Sequence, residues 1–98
     1  MDKFGAMITT IVLIKADPKR IPDTAREIAG IEGVQEVYSV SGEWDLVAIV
    51  RVAEYQDIAE VVTERFPAVT GITRTQTLTA FRAYSRKDLE QAWDIGLE

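Results

Sequence analysis

Trp44-Asp45-Leu46-Val47-Ala48-Ile49-Val50-Arg51-Val52 is the stretch on which the fold of this chain turns. It reads as a strand, and both of its alternating sets are apolar, Leu46/Ala48/Val50 on one side and Val47/Ile49 on the other. An antiparallel strand with one wet face alternates apolar and polar residues instead. This strand therefore belongs in the middle of a sheet, and one layer of helices satisfies only one of its faces.

The same character recurs upstream. Ile8 to Lys15 is a second strand with two largely apolar sets, Thr10/Val12/Ile14 and Ile11/Leu13. Asp17-Pro18 ends it, and a helix follows with Ile21, Ala25, Ile28 and Ala29 on one stripe. Pro22 fixes where that helix starts. Were Pro18 the first helical residue, Pro22 would forfeit an intrahelical bond and clash with the preceding turn, so the regular helix begins around Arg20 to Pro22. Gly30 and Gly33 bracket its end. Val34 to Ser41 is the next strand, and Ser41-Gly42-Glu43 turns it tightly into the opening stretch. Downstream, Glu54 to Phe66 forms a helix with Ile58, Ala59, Val62 and Phe66 inward, stopped by Pro67. Gly71 precedes a fourth strand, Ile72 to Ala83. Ser85-Arg86-Lys87-Asp88 has capping-box character and opens a short terminal helix over 85–95, with Leu89, Ala92 and Trp93 on one face.

The order is β-α-β twice over, and the spacing repeats. From Ile8 to Gly33 is 33 − 8 = 25 positions, and from Leu46 to Gly71 is 71 − 46 = 25. The pattern predicts one α+β domain over residues 1–98, with its core at 8–83. The fold is ferredoxin-like, β-α-β-β-α-β, with a four-stranded antiparallel sheet in the order 4-1-3-2. Right-handed crossovers put both helices on one face. Gln35, Glu36, Ser39, Arg74 and Gln76 suit the two edges. The uncovered apolar face calls for a second subunit, so face-to-face packing in a symmetric dimer is expected, as a dimeric α+β barrel.

Composition excludes several classes of function. There is no cysteine and no histidine, hence no disulfide, no thiolate nucleophile, no imidazole base and no sulfur or imidazole metal ligand. No apolar run approaches bilayer length, and residues 1–7 lack a signal-peptide core, so a cytoplasmic location is expected with no membrane partner. Net charge is −5, and the basic pairs Lys19-Arg20 and Arg86-Lys87 are flanked by acids, which argues against direct nucleic-acid binding.

Among the polar residues, Glu43 and Asp45 could form a carboxylate pair for acid-base or hard-metal chemistry, but no third ligand or nucleophile accompanies them. A solvated pair flanking a turn is the simpler reading. Trp44 reads equally as a packing residue at a seam and as a pocket wall. Thr73, Thr75, Thr77 and Thr79 suit a strand by propensity alone, while their hydroxyls could also meet a ligand. Asp23, Glu27, Glu60 and Glu64 lie opposite the apolar stripes, on solvated faces.

Two runs, Gly33 to Val47 with the turn Gly42-Glu43-Trp44-Asp45, and Gly71-Ile72-Thr73-Arg74-Thr75-Gln76-Thr77-Leu78, resemble the effector-binding domain of the Lrp/AsnC family. These are the feast/famine transcriptional regulators. The likeness covers Ile8 to Arg82 and implies a homodimer assembled into higher oligomers, with small effectors, commonly amino acids, bound where dimers meet. It implies a ligand site at Gly42, Glu43, Trp44, Asp45, Arg74, Thr75 and Thr77. Gly42 would offer backbone groups, Asp45 would meet an ammonium or orient the loop, and the threonines would bind polar groups or hold the neighbouring loop. For Arg74 a ligand carboxylate and an intersubunit acid both remain open. No cofactor and no catalytic residue is implied. The family's helix-turn-helix has no counterpart before the first strand, so the expected form is a stand-alone sensing and oligomerisation domain that could join a full-length Lrp/AsnC regulator. A small barrel enzyme of the monooxygenase or isomerase kind, and a purely structural module, are the other readings.

Overall fold

The computed structural model describes residues 7–86. Its elements are β1 (Ile8–Ala16), α1 (Ile21–Ala29), β2 (Val34–Ser39), β3 (Leu46–Val52), α2 (Tyr55–Glu60) and β4 (Ile72–Thr79). A 3-10 turn, Pro18–Arg20, leads into α1, with the Asp17 carboxylate accepting from the Lys19 amide at 3.0 Å. The regular helix then starts at Ile21, as the position of Pro22 requires.

The sheet runs β2-β3-β1-β4, all antiparallel, which matches the order expected from the repeat. The two doubly apolar strands sit in the middle. Val12 and Ile14 of β1 and Leu46, Ala48 and Val50 of β3 are completely buried on the helix side, together with Ile28 of α1. Phe66 closes that core beyond α2.

The barrel expectation is overturned. Among the described residues the sheet is open: β2 and β4 are its two edges and do not pair with each other. Four strands are too few to curl into a closed wall, which takes about eight in the smallest filled barrels.

Element bounds also differ: β1 runs on to Ala16 and β2 stops at Ser39 rather than Ser41, and three larger differences have visible reasons. β4 ends at Thr79 rather than Ala83. The amide of Ala80 still reaches the Thr9 carbonyl at 2.9 Å, but β1 begins at Ile8, so the chain beyond runs out of partner strand. β3 begins at Leu46 rather than Trp44, because the Asp45 carboxylate, not a backbone carbonyl, takes the Ala16 amide at 2.9 Å. The second helix is not uniform. After Tyr55–Glu60 it widens into a π turn at Val61–Arg65 and tightens into a 3-10 turn at Phe66–Ala68. Pro67 supplies no amide and crowds the carbonyl four residues earlier, so the last turns cannot keep α geometry. The terminal helix expected over 85–95 lies outside the described residues, apart from its first positions.

The two halves interlock through the glycines that end their repeats. A Cβ on Gly33 would crowd Val52 at the end of β3, whereas one on Gly71 would strike the hydroxyl of Thr24 on α1. Thr24 is buried and donates to the Thr70 carbonyl at 3.0 Å. Gly71 also has φ +102°, a conformation a side chain resists. Its carbonyl accepts from Asp17 at 2.8 Å, as the Gly33 carbonyl accepts from Arg51 at 2.9 Å.

Candidate functional site

Of the seven predicted residues, Thr77, opposite Val12, lies near the middle of the sheet, and the other six gather at one end. β1 ends there at Ala16, β3 begins there at Leu46, and β4 begins there at Ile72. The turn from β2 to β3 is closed by the Val40 amide donating to the Asp45 carbonyl at 3.0 Å. Gly42 takes φ +110° at its tip, with open space all round, so the glycine serves backbone conformation rather than close approach. Glu43 beside it is exposed.

Asp45 is anchored twice to β1. Its amide donates to the Ile14 carbonyl at 2.9 Å, and its Oδ2 accepts from the Ala16 amide at 2.9 Å. Orientation of the loop is therefore what this carboxylate does in the structure. The preceding residue, Trp44, is half-buried, and the guanidinium of Arg74 stacks over its ring at 5.0 Å from the centroid. A cation above an indole face is favourable by about 0.5–2 kcal/mol, depending on desolvation. The pair ties the β2–β3 turn to the edge strand, across the end of β1.

The threonines divide. Lys15 lies opposite Arg74, and Ile14 and Val12 lie opposite Thr75 and Thr77. Residues paired across antiparallel strands share a face, so Thr75 and Thr77 are on the helix side and Arg74 is on the other. Thr73 falls at a bulge and bonds the Lys15 carbonyl at 3.1 Å. The ladder of four is thus three on one face and one in a bulge. A cleft of about 200 Å³ lies along the helix side of the β4 edge, between Thr75 and the segment Val62, Phe66 and Pro67. Sequence reading missed this wall, although Pro67 marked the place where the helix must break. A larger hollow of about 350 Å³ lies at the opposite end of the sheet, walled by Gly33, Arg51, Asp57, Glu60 and Arg65. Its charged side chains are mostly exposed, and it contains none of the predicted residues.

Among the described residues no group of three or more His, Cys, Asp or Glu could hold a metal ion, and no helix is long and apolar enough to cross a membrane. The arrangement offers a cation on an aromatic face and an anchored carboxylate at one sheet end, with the Thr75 hydroxyl on the opposite, helix-side face and Thr77 farther along β4.

Residues 9–89 match the model of the Lrp/AsnC ligand binding domain. The chain belongs to the Lrp/AsnC family. The matched part is the family's ligand binding domain. An uncharacterized HTH-type transcriptional regulator of Pyrococcus furiosus is 37% identical over 82 residues, 81% of this chain and 55% of the relative. This Lrp/AsnC chain thus spans about half the length of the curated relatives it matches. Among solved structures, TTHA0845 from Thermus thermophilus is 45% identical with a TM-score of 0.76, covering 82% of this chain and 100% of the other. AsnC of E. coli has the same fold, with a TM-score of 0.77 at 17% identity over 85% of this chain and 56% of AsnC.

Proposed function

We propose that this Lrp/AsnC domain senses a small zwitterionic molecule, an amino acid, at the sheet end formed by Gly42, Glu43, Trp44, Asp45, Arg74 and Thr75, with Thr77 farther along β4. The observation that carries the reading is the Arg74–Trp44 stack beside Asp45, within the residues that match the ligand-binding family. A guanidinium suits a carboxylate, and an indole face with the remaining carboxylate oxygen suits an ammonium or apolar group. A relative of the same fold, the transcriptional regulator NMB0573 of Neisseria meningitidis, was crystallised as an L-Met complex, at 11% identity and a TM-score of 0.72. That supports the ligand class and not its identity.

The sensing unit is a homodimer, and dimers join further. The support is the sheet face away from the helices, where Ile11, Leu13, Val47 and Ile49 are only half-buried and Tyr38 and Leu78 are exposed. The domain works in the cytoplasm, in transcriptional control, alone or joined to a full-length regulator of its family, and does not itself read DNA.

The test is a calorimetric screen of the twenty amino acids, read together with oligomer mass. At least one should bind saturably and shift the mass distribution, and Arg74→Ala should weaken it about tenfold or more, the scale of one charged hydrogen-bonded contact. Absence of any response, or an unchanged affinity in Arg74→Ala, would remove this assignment. Asp45→Ala is the poorer probe, because it also strips the Ala16 amide of its acceptor.

A further inference from the structure

The helix over the second half changes register within one turn. The Val61 amide still bonds the Asp57 carbonyl, four residues back as in an α-helix, whereas the Phe66 amide bonds the Val61 carbonyl, five back. Pro67 favours that widening, because it has no amide for the Thr63 carbonyl that an unbroken α-helix would pair with it. The Thr63 hydroxyl donates to the Ala59 carbonyl within the same stretch. Single π turns of this kind are rare and collect at functional sites. The ion pair between Glu60 and Arg65 reports the register directly. Its partners are five positions apart, with 3.0 Å between Arg65 Nη2 and Glu60 Oε2. On an α-helix, residues five apart point about 140° away from each other, and charged pairs form at spacings of three or four. The wider π turn brings the two to one side.

The two flanks of this turn face different hollows. Glu60 and Arg65, each about half exposed, stand on the rim of the 350 Å³ hollow at the far end of the sheet. Val62 and Phe66 wall the 200 Å³ cleft that Arg74 and Thr75 border. The described lining of the cleft includes neither Glu60 nor Arg65. One residue more in a turn rotates everything beyond it by about 100°, so the place of Phe66 and Pro67 on the cleft wall depends on that register.

We infer that Glu60 and Arg65 are positioning residues, which hold the π turn in register and, through Val62 and Phe66, set which ligand side chains the cleft admits. The inference rests on the amino-acid reading above, whose Arg74 and Thr75 border this cleft, and it specifies what selects among amino acids. The wall suits a side chain rather than a polar head, since Val62, Phe66, Pro67 and Ile72 are all apolar. Because the pair sits on the far flank of the turn, it acts on the ligand only through the wall it positions.

The test is the affinity profile of the full chain across the twenty amino acids, measured by calorimetry. Arg65→Gln and Glu60→Gln should each change the ratio of affinities between large and small side chains by about two- to fivefold, the range open to one exposed ion pair. Circular dichroism and the urea midpoint should stay near wild type, because both positions are on the surface. The exchanged variant Glu60→Arg/Arg65→Glu rebuilds the pair and should return the wild-type profile. If the wild type binds but both single variants keep its profile, or weaken every amino acid by one common factor, the inference fails and the amino-acid reading stands. Failure of the exchanged variant to recover the profile overturns it in the same way. If the wild type binds no amino acid, the site reading fails and takes this inference with it.

Discussion

The two faces of the sheet are made from the same strands and the same kinds of residue, yet they end in different states. On the helix side, Val12, Ile14, Leu46, Ala48 and Val50 have no exposed surface. On the other side, Ile11, Leu13, Val47 and Ile49, each next to one of those in sequence, remain half-buried. Hydrophobicity does not distinguish the sets. What lies across from them does: α1, α2 and Phe66 cap one face, and no strand or helix of the described chain packs on the other. An apolar residue is buried only where the topology brings it a partner, and each CH2 so buried is worth about 0.8 kcal/mol.

That contrast can be attacked most directly in the core. Leu46→Ala should cost about 2–5 kcal/mol in urea unfolding, because the cavity forms under a rigid helix layer. Val47→Ala, one position away, should cost less than half as much in the isolated subunit. Equal costs would mean the faces do not differ. Gly71→Ala comes next, at about 2 kcal/mol or more, since a side chain at positive φ is strained and would meet the Thr24 hydroxyl holding α1 to the second half. Adding Thr24→Ala should recover the steric part and leave the conformational part. Ile49→Lys sharpens the other side of the comparison. It should shift the stability of the monomer by less than about 1 kcal/mol but raise the dimer dissociation constant about tenfold or more.

The smallest effect is the titration of Tyr38. Its hydroxyl donates to Glu36 at 2.8 Å, and ionisation would break that bond and place a phenolate beside a carboxylate. The phenol is therefore raised above its ordinary value of 10.0, chiefly by the hydrogen bond to Glu36 and then by its charge. Absorbance titration should find it high, with Glu36→Gln bringing it down. If the outer face is covered in the assembly, concentrating the protein should raise it further, through desolvation. A titration that ignores concentration would put Tyr38 outside the covered region.

The candidate site was less legible than the fold. Trp44 and Arg74 are 30 positions apart, and nothing in their spacing says that one stacks on the other. That contact exists because β1 lies between β3 and β4 and brings both strand starts to one end. The alternation of Thr73, Thr75, Thr77 and Thr79 suggested one polar row. The bulge beside Lys15 and Ala16 breaks it, and bulges leave little trace in composition. Asp45 was readable as a turn acid, whereas its hold on the Ala16 amide required the tertiary fold.

Local chemistry alone determined the element order and the helix start at Pro22, because periodicity, proline and glycine act within a few residues of themselves, while the strand order followed from the 25-position repeat and right-handed crossovers. The doubly apolar strand Leu46–Val52 likewise announced that it lies centrally and that one of its faces goes uncovered by its own helices. Whether that sheet closes was decided only by the tertiary structure. Closure depends on strand number and on whether β2 and β4 meet, and in this chain they stand at opposite edges.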